Sequence, residues 1–166
     1  HLRTRRQRQM CIRDRKMCGI FGVLNENNDE YYNQFMKGKK RGPENSTYYT
    51  GDNFILGFHR LAINGFEKPE SKQPIELKNC KLICNGEIYN WKNLHNELNI
   101  KTSTFSDCEI IIHMYRVHGM YYTLKKLDGV FAFILYDETS KEFFIARDQF
   151  GVRPLFHCFT EDKKSK

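Results

Sequence analysis

Met17-Cys18-Gly19-Ile20-Phe21-Gly22-Val23-Leu24 is a short apolar run with a cysteine at its second position. Gly19 to Leu24 has the length and the β-branched and aromatic content of a buried strand. Cys18 therefore stands where a strand begins. If Met17 and everything before it are removed, Cys18 carries both a thiol and the free α-amine. A thiol has an ordinary pKa of about 8.5 and a terminal amine about 7.7–8.0, so either changes protonation near neutral pH. One residue then holds a nucleophile and the base that activates it.

Moving outward, Asp29 to Lys39 has helical apolar spacing, broken by Arg41-Gly42-Pro43-Glu44. Phe54 to Ile63 is predicted as a strand running into a loop, with Arg60 near its end. Lys81 to Cys84 is predicted as a short strand that stops at an Asn85-Gly86 turn, and Trp91 to Leu98 as a helix. Ser106 is placed as the cap of the next helix, with Glu109 three residues on as in a capping box. That helix is expected to reach His118, with another from Met120 to Leu127. Val130–Tyr136 and Glu142–Arg147 are expected to form a hairpin, and Leu155–Thr160 a further strand. Interspersed helices and strands with one hairpin define an α/β or α+β domain with a mixed or antiparallel sheet.

The 166 residues suit one domain with one sizeable core. No apolar run reaches the roughly 18 residues of a membrane span. The net charge of +7 is concentrated at one end. Residues 1–16 hold seven of the 27 bases and one of the 20 acids, leaving +1 for the rest. The body therefore makes no electrostatic case for nucleic acid. The basic leader lacks an apolar region and is no secretory signal. It is a cleaved extension, a partner-binding arm or non-native sequence. The domain is taken as residues 17–166.

The six cysteines include no C-x-x-C pair, which argues against zinc. Cys80 and Cys84 share one face if their segment is a strand, as buried small hydrophobes. A cytoplasmic, reducing setting is expected. Phosphate-loop, dinucleotide and Ser-hydrolase motifs are absent, and no H-e-x-x-H spacing links the histidines. Four residue groups carry possible chemistry together. Cys18 leads a strand. Arg60 ends one and suits a carboxylate. Asn85-Gly86-Glu87 can aim an amide and a backbone N–H at one point, as an oxyanion hole requires. Asp107 begins a helix. Each also has an ordinary structural reading: a surface ion pair, a hairpin turn and a capping residue for the last three.

Further segments follow the same order as a known family: Arg41-Gly42-Pro43-Glu44, His59-Arg60-Leu61-Ala62-Ile63, Gln73-Pro74, Asn85-Gly86-Glu87-Ile88-Tyr89-Asn90, Ser106-Asp107-Cys108-Glu109, Leu127-Asp128-Gly129-Val130-Phe131-Ala132-Phe133 and Ala146-Arg147-Asp148-Gln149-Phe150-Gly151-Val152-Arg153-Pro154-Leu155. With the Met17–Gly22 run, they resemble the glutaminase domain of glutamine-hydrolysing asparagine synthetases, a class II glutamine amidotransferase. The resemblance covers Met17 to about Phe156.

The resemblance implies an α+β, four-layer αββα sandwich of the N-terminal nucleophile hydrolase type, here lacking its last strand. It implies Cys18 as nucleophile and Asn85 with the Gly86 N–H as oxyanion donors. Arg60, Leu61, Ile63, Glu87 and Asp107 would bind the substrate. L-glutamine would be that substrate, with no metal and no cofactor for its hydrolysis. ATP and Mg would serve only a separate C-terminal synthetase domain, a partner outside this chain. Neither nucleic acid nor membrane is expected as a partner; a homodimer is possible. Glu44 stands where the family motif carries Asp. Other readings are a glucosamine-6-phosphate synthase or phosphoribosylpyrophosphate amidotransferase type, a non-catalytic binding module on the same fold, and an inactive fragment.

Overall fold

The structure, a computed structural model, describes residues 18–61, 72–104 and 106–159. The leader, Met17, Ile63 and Thr160 lie outside these residues. The protein is α+β, and its seven described strands form two antiparallel sheets. The first sheet has the order β1-β3-β2: β1 is Gly19–Leu24, β2 Asn45–Thr50 and β3 Phe54–Arg60. The second has the order β4-β5-β6-β7: β4 is Ile75–Leu77, β5 Cys80–Ile88, β6 Gly129–Asp137 and β7 Glu142–Arg147. The helices are α1 (Glu30–Lys37), α2 (Trp91–Leu98), α3 (Glu109–His118) and α4 (Met120–Lys126), with a 3-10 turn at Gly38–Arg41.

Strand alternation sorts the side chains into two cores. Phe54, Leu56 and Phe58 of β3 pack with Ile83 of β5 and with Ile134 and Tyr136 of β6. This cluster joins the two sheets, and Cys18 and Ile20 border it. The opposite face of the first sheet meets α1. There Phe35 stacks on His59 at 4.0 Å between ring centroids and also touches Phe21 and Tyr48. The other face of β5 and β6 meets α2 and α3 through Leu82, Cys84, Phe131, Phe133, Ile110 and Met114. Each such fully buried side chain contributes about 1.5–3 kcal/mol relative to exposure. Cys80 and Cys84 share that helix-facing side, as their spacing predicts.

Five expectations change. Strand β5 does not stop at Cys84: it runs unbroken through Asn85-Gly86-Glu87, paired residue by residue with β6 down to Ile88↔Gly129. Nine continuous pairings outweigh the local turn preference of Asn-Gly. Strands β2 and β4 are additions. The polar run Asn45–Thr50 pairs along β3 as an edge strand, and the three residues of β4 are held by β5. Residues 155–159 form no strand, with Phe156 and Phe159 each 91 % exposed. The capping box does not form. The Glu109 carboxylate takes the Ser103 and Thr104 N–H groups instead, while the Ser106 N–H donates to Thr104 Oγ1. Asp107 is not a helix cap: its carboxylate accepts the Ile88 N–H of β5. No described helix is long and apolar enough to cross a membrane.

Candidate active site

Cys18 immediately precedes β1, whose first pair is Gly19↔His59. That register brings the thiol to the end of β3. Cys18 Sγ donates to the Leu61 carbonyl at 3.5 Å, and the Leu61 N–H donates to Sγ at 3.4 Å. Burial pushes the Cys18 thiol above its ordinary value, and the Leu61 N–H opposes that rise. The charges of Cys84 and Arg153 also reach it, the first raising and the second lowering.

Arg60 is the last residue of β3 and only half-buried. It alternates with Phe58 and Leu56, so its side chain leaves the strand toward the second sheet. Two neighbours hold it. A Cβ on Gly42 would lie 2.3 Å from the His59 carbonyl oxygen and 2.6 Å from Arg60 C, so the Arg41-Gly42-Pro43 loop rests directly on this backbone. His59 is 2 % exposed and bonded at both ring nitrogens: Nε2 to the Phe35 carbonyl and Nδ1 to Ser46 Oγ, each at 2.8 Å. The carbonyl can only accept, so Nε2 carries the proton there.

On the second sheet, Asn85 and Glu87 alternate with Ile83 on the face turned to the first sheet. Asn85 is buried and Glu87 exposed. A Cβ on Gly86 would lie 2.4 Å from the Val130 carbonyl oxygen, so β6 leaves no room for a side chain there. Asp107 Oδ2 accepts the Ile88 N–H at 2.5 Å. Burial raises the Asp107 carboxyl, the Ile88 N–H opposes this, and the charge of Glu87 adds to it.

The fold thus makes two groups. Cys18, Arg60 and Leu61 gather at one end of the first sheet, and Asn85, Gly86, Glu87 and Asp107 along one edge of β5. Both β1 and β3 touch β5, which joins the groups. Of the expected site residues only Ile63 falls outside the described residues. Among those described, no group of three or more His, Cys, Asp or Glu side chains could hold a metal.

Other anchors escaped the sequence reading. Asp148 is 4 % exposed, and its carboxylate accepts the N–H groups of Phe131, Phe150, Val152 and Arg153. These bonds hold its pKa down against burial. They set the course of the loop that brings Arg153 toward Cys18. Asp before a Gly-containing loop is the signal that points to such a turn. Gln73 bonds to both backbone groups of Cys84.

Comparison with known proteins gives the chain its class. The profile described as "Glutamine amidotransferase domain" matches residues 17–165, and the chain belongs to that family. It is homologous to a segment of asparagine synthetases named glutamine-hydrolyzing. It is 40 % identical over 158 residues to that of Gallus gallus. It is 42 % identical over 156 residues to that of Bos taurus, and 40 % over 156 to that of Homo sapiens. Each match covers 88 % of this chain and 27 % of the relative. The chain spans about a quarter of the length of these relatives.

Proposed function

We propose that this chain is the glutaminase domain of an asparagine synthetase and that it hydrolyses L-glutamine through Cys18 at a free N-terminus. The basic leader and Met17 are removed in the working protein. The fold is then the four-layer αββα sandwich of the N-terminal nucleophile hydrolases. That layering is supported by α1 packing on one face of the first sheet, the shared core between sheets, and α2 and α3 on the far face of the second.

Arg60 binds the α-carboxylate of glutamine, and Asp107 with Glu87 its α-ammonium. A zwitterion needs one cation and one or two carboxylates, and Arg60 on the first sheet with Asp107 and Glu87 beside β5 make up that set. Leu61 and Ile63 line the pocket with backbone. The Cys18 thiol passes its proton to its own α-amine, and Sγ bonds to the carboxamide carbon. Asn85 and the Gly86 N–H hold the resulting oxyanion. The C–N bond then breaks, and the nitrogen takes the proton from the α-amine and leaves as ammonia. Water next adds to the thioester carbon, the C–S bond breaks, and glutamate and the thiol are released. No metal or cofactor enters these steps. ATP and Mg would act in the synthetase domain of the longer protein, in the cytoplasm, where ammonia amidates aspartate.

The observation that carries this reading is Cys18 Sγ lying against both backbone groups of Leu61, one residue beyond Arg60. The test is glutamine hydrolysis by two forms of the chain, one beginning at Met17 and one at His1, with both N-termini verified by mass spectrometry. Activity in the Met17 form alone, abolished by Cys18→Ala, is the expected result. Two folded but inactive forms would favour a non-catalytic binding module.

A further inference from the structure

Strand β5 has two edges. In an antiparallel ladder the N–H and C=O of one residue point to the same side, and alternate residues point to opposite sides. On one side Leu82 faces Ile75 of β4, and that pairing is the last of the short strand. Continuing the register places Pro74 opposite Ile83 and Gln73 opposite Cys84. Strand β4 begins at Ile75, and the backbone ladder ends there. Gln73 is 8 % exposed, and its side chain takes over. The Cys84 N–H donates to Oε1 at 2.6 Å, and Nε2 donates to the Cys84 carbonyl at 3.0 Å. An amide has the donor and acceptor spacing of a peptide unit, so one side chain imitates one residue of strand.

The same edge continues with Gly86 and Ile88. The Gly86 carbonyl receives the Cys108 thiol at 4.0 Å, and the Ile88 N–H goes to Asp107. The edge is therefore clamped by Gln73 on one side of Gly86 and by Asp107 on the other. Between them the Gly86 N–H faces outward, and Asn85 lies one residue from the Gln73 clamp.

We infer that Gln73 is a positioning residue for the oxyanion site: its amide replaces a missing strand at Cys84 and so holds Asn85 and the Gly86 N–H in direction. The inference rests on the glutaminase reading above. Gln73 touches neither substrate nor reacting atoms in this scheme. Its loss leaves two buried backbone groups of Cys84 without partners, and β5 twists locally to find them. Displacement by about 1 Å at a stabilising group can cost on the order of 100-fold in rate. Of the groups that bind the ground state, Arg60 and Asp107 sit on other segments, and Glu87 lies on β5 beyond Asn85 and Gly86, beside the Asp107 clamp.

The test uses the chain beginning at Met17 and compares wild type, Gln73→Met, Asn85→Ala and the double variant. Gln73→Met is expected to lower kcat for glutamine hydrolysis at least tenfold, with KM and the dissociation constant of L-glutamate within threefold. In the double variant, losing Gln73 should cost less on top of Asn85→Ala than it costs alone, because part of the clamp's effect passes through Asn85 and the rest through the Gly86 N–H. If Gln73→Met does not fold, Gln73→Asn, which keeps the amide one methylene short, takes its place. Wild type without Cys18-dependent hydrolysis would overturn the glutaminase reading and this inference with it. An active wild type with Gln73→Met kcat within threefold would overturn the clamp alone. So would a parallel rise in KM, or full additivity with Asn85→Ala.

Discussion

Cys18 Sγ is held between the two polar backbone groups of Leu61, at 3.5 Å from the carbonyl and 3.4 Å from the nitrogen. The thiol is thereby fixed at the end of the strand that carries Arg60. Burial raises its pKa, so within an uncleaved chain it resists ionisation near neutral pH. Iodoacetamide should label Cys18 slowly in the chain beginning at His1, with the rate climbing only above the ordinary thiol range. With Cys18 at the N-terminus, the adjacent ammonium should bring that rise to lower pH. Superimposed pH–rate curves for the two forms would exclude any role for the α-amine.

Arg60 leaves β3 beside this thiol. Arg60→Ala removes a charge-assisted contact worth about 1.5–3 kcal/mol, which raises KM for glutamine on the order of ten- to a hundredfold. The Cys18 labelling rate should hardly change. A steady-state titration decides it, and an unchanged KM removes Arg60 from the pocket.

Asn85 lies on a strand rather than a turn, so its side chain has a defined direction. Asn85→Ala should lower kcat by about 10²–10³ while the fold survives. A loss under threefold would return Asn85 to a purely structural role.

Gly42 rests on the backbone of His59 and Arg60, where a methyl group would sit 2.3 Å from a carbonyl oxygen. Neither backbone can yield without moving Arg60. Gly42→Ala should destabilise the protein by about 1–3 kcal/mol, as overpacking does. It should also raise KM together with the Arg60 effect. Thermal melts and kinetics on one sample would show both changes or refute the contact.

Glu109 is fully buried beneath the Asp107 turn. Burial alone would raise its carboxyl. Hydrogen bonds from Ser103, Thr104 and His113 instead hold it down to about 2. The unfolded chain takes up that proton near the ordinary glutamate value of 4.5, and the folded chain only near 2. The stabilisation, on the order of 3 kcal/mol, is therefore complete above pH 4.5 and is lost as pH falls toward 2. Burial also lowers the pKa of the neighbouring His95, which adds acid sensitivity beginning near the ordinary histidine value. Glu109→Gln should be less stable at pH 7 and flatter between pH 5 and 3 in urea unfolding. Parallel curves for the two proteins would refute the assignment.

Local pattern was enough for β1, β3, the three helices after Trp91 and the β6–β7 hairpin. Each is a continuous apolar or periodic segment that declares its own period. Cys18, Arg60, Asn85 and Asp107 stand out locally only as residue types capable of chemistry; their roles come from the resemblance, and the structure moves Asn85 into a strand and Asp107 onto the Ile88 N–H. What tertiary structure decided are the pairings. Asn85-Gly86 reads locally as a turn, but nine consecutive partners on β6 keep it extended. Asn45–Thr50 and Ile75–Leu77 become strands only because β3 and β5 offer edges. Glu109 abandons the capping position since a buried carboxylate is better satisfied by several donors than by one. Gln73 and Asp148 matter through backbone groups distant in sequence. Such bonds leave no periodic trace along the chain, because their partners are set by where strands lie in space.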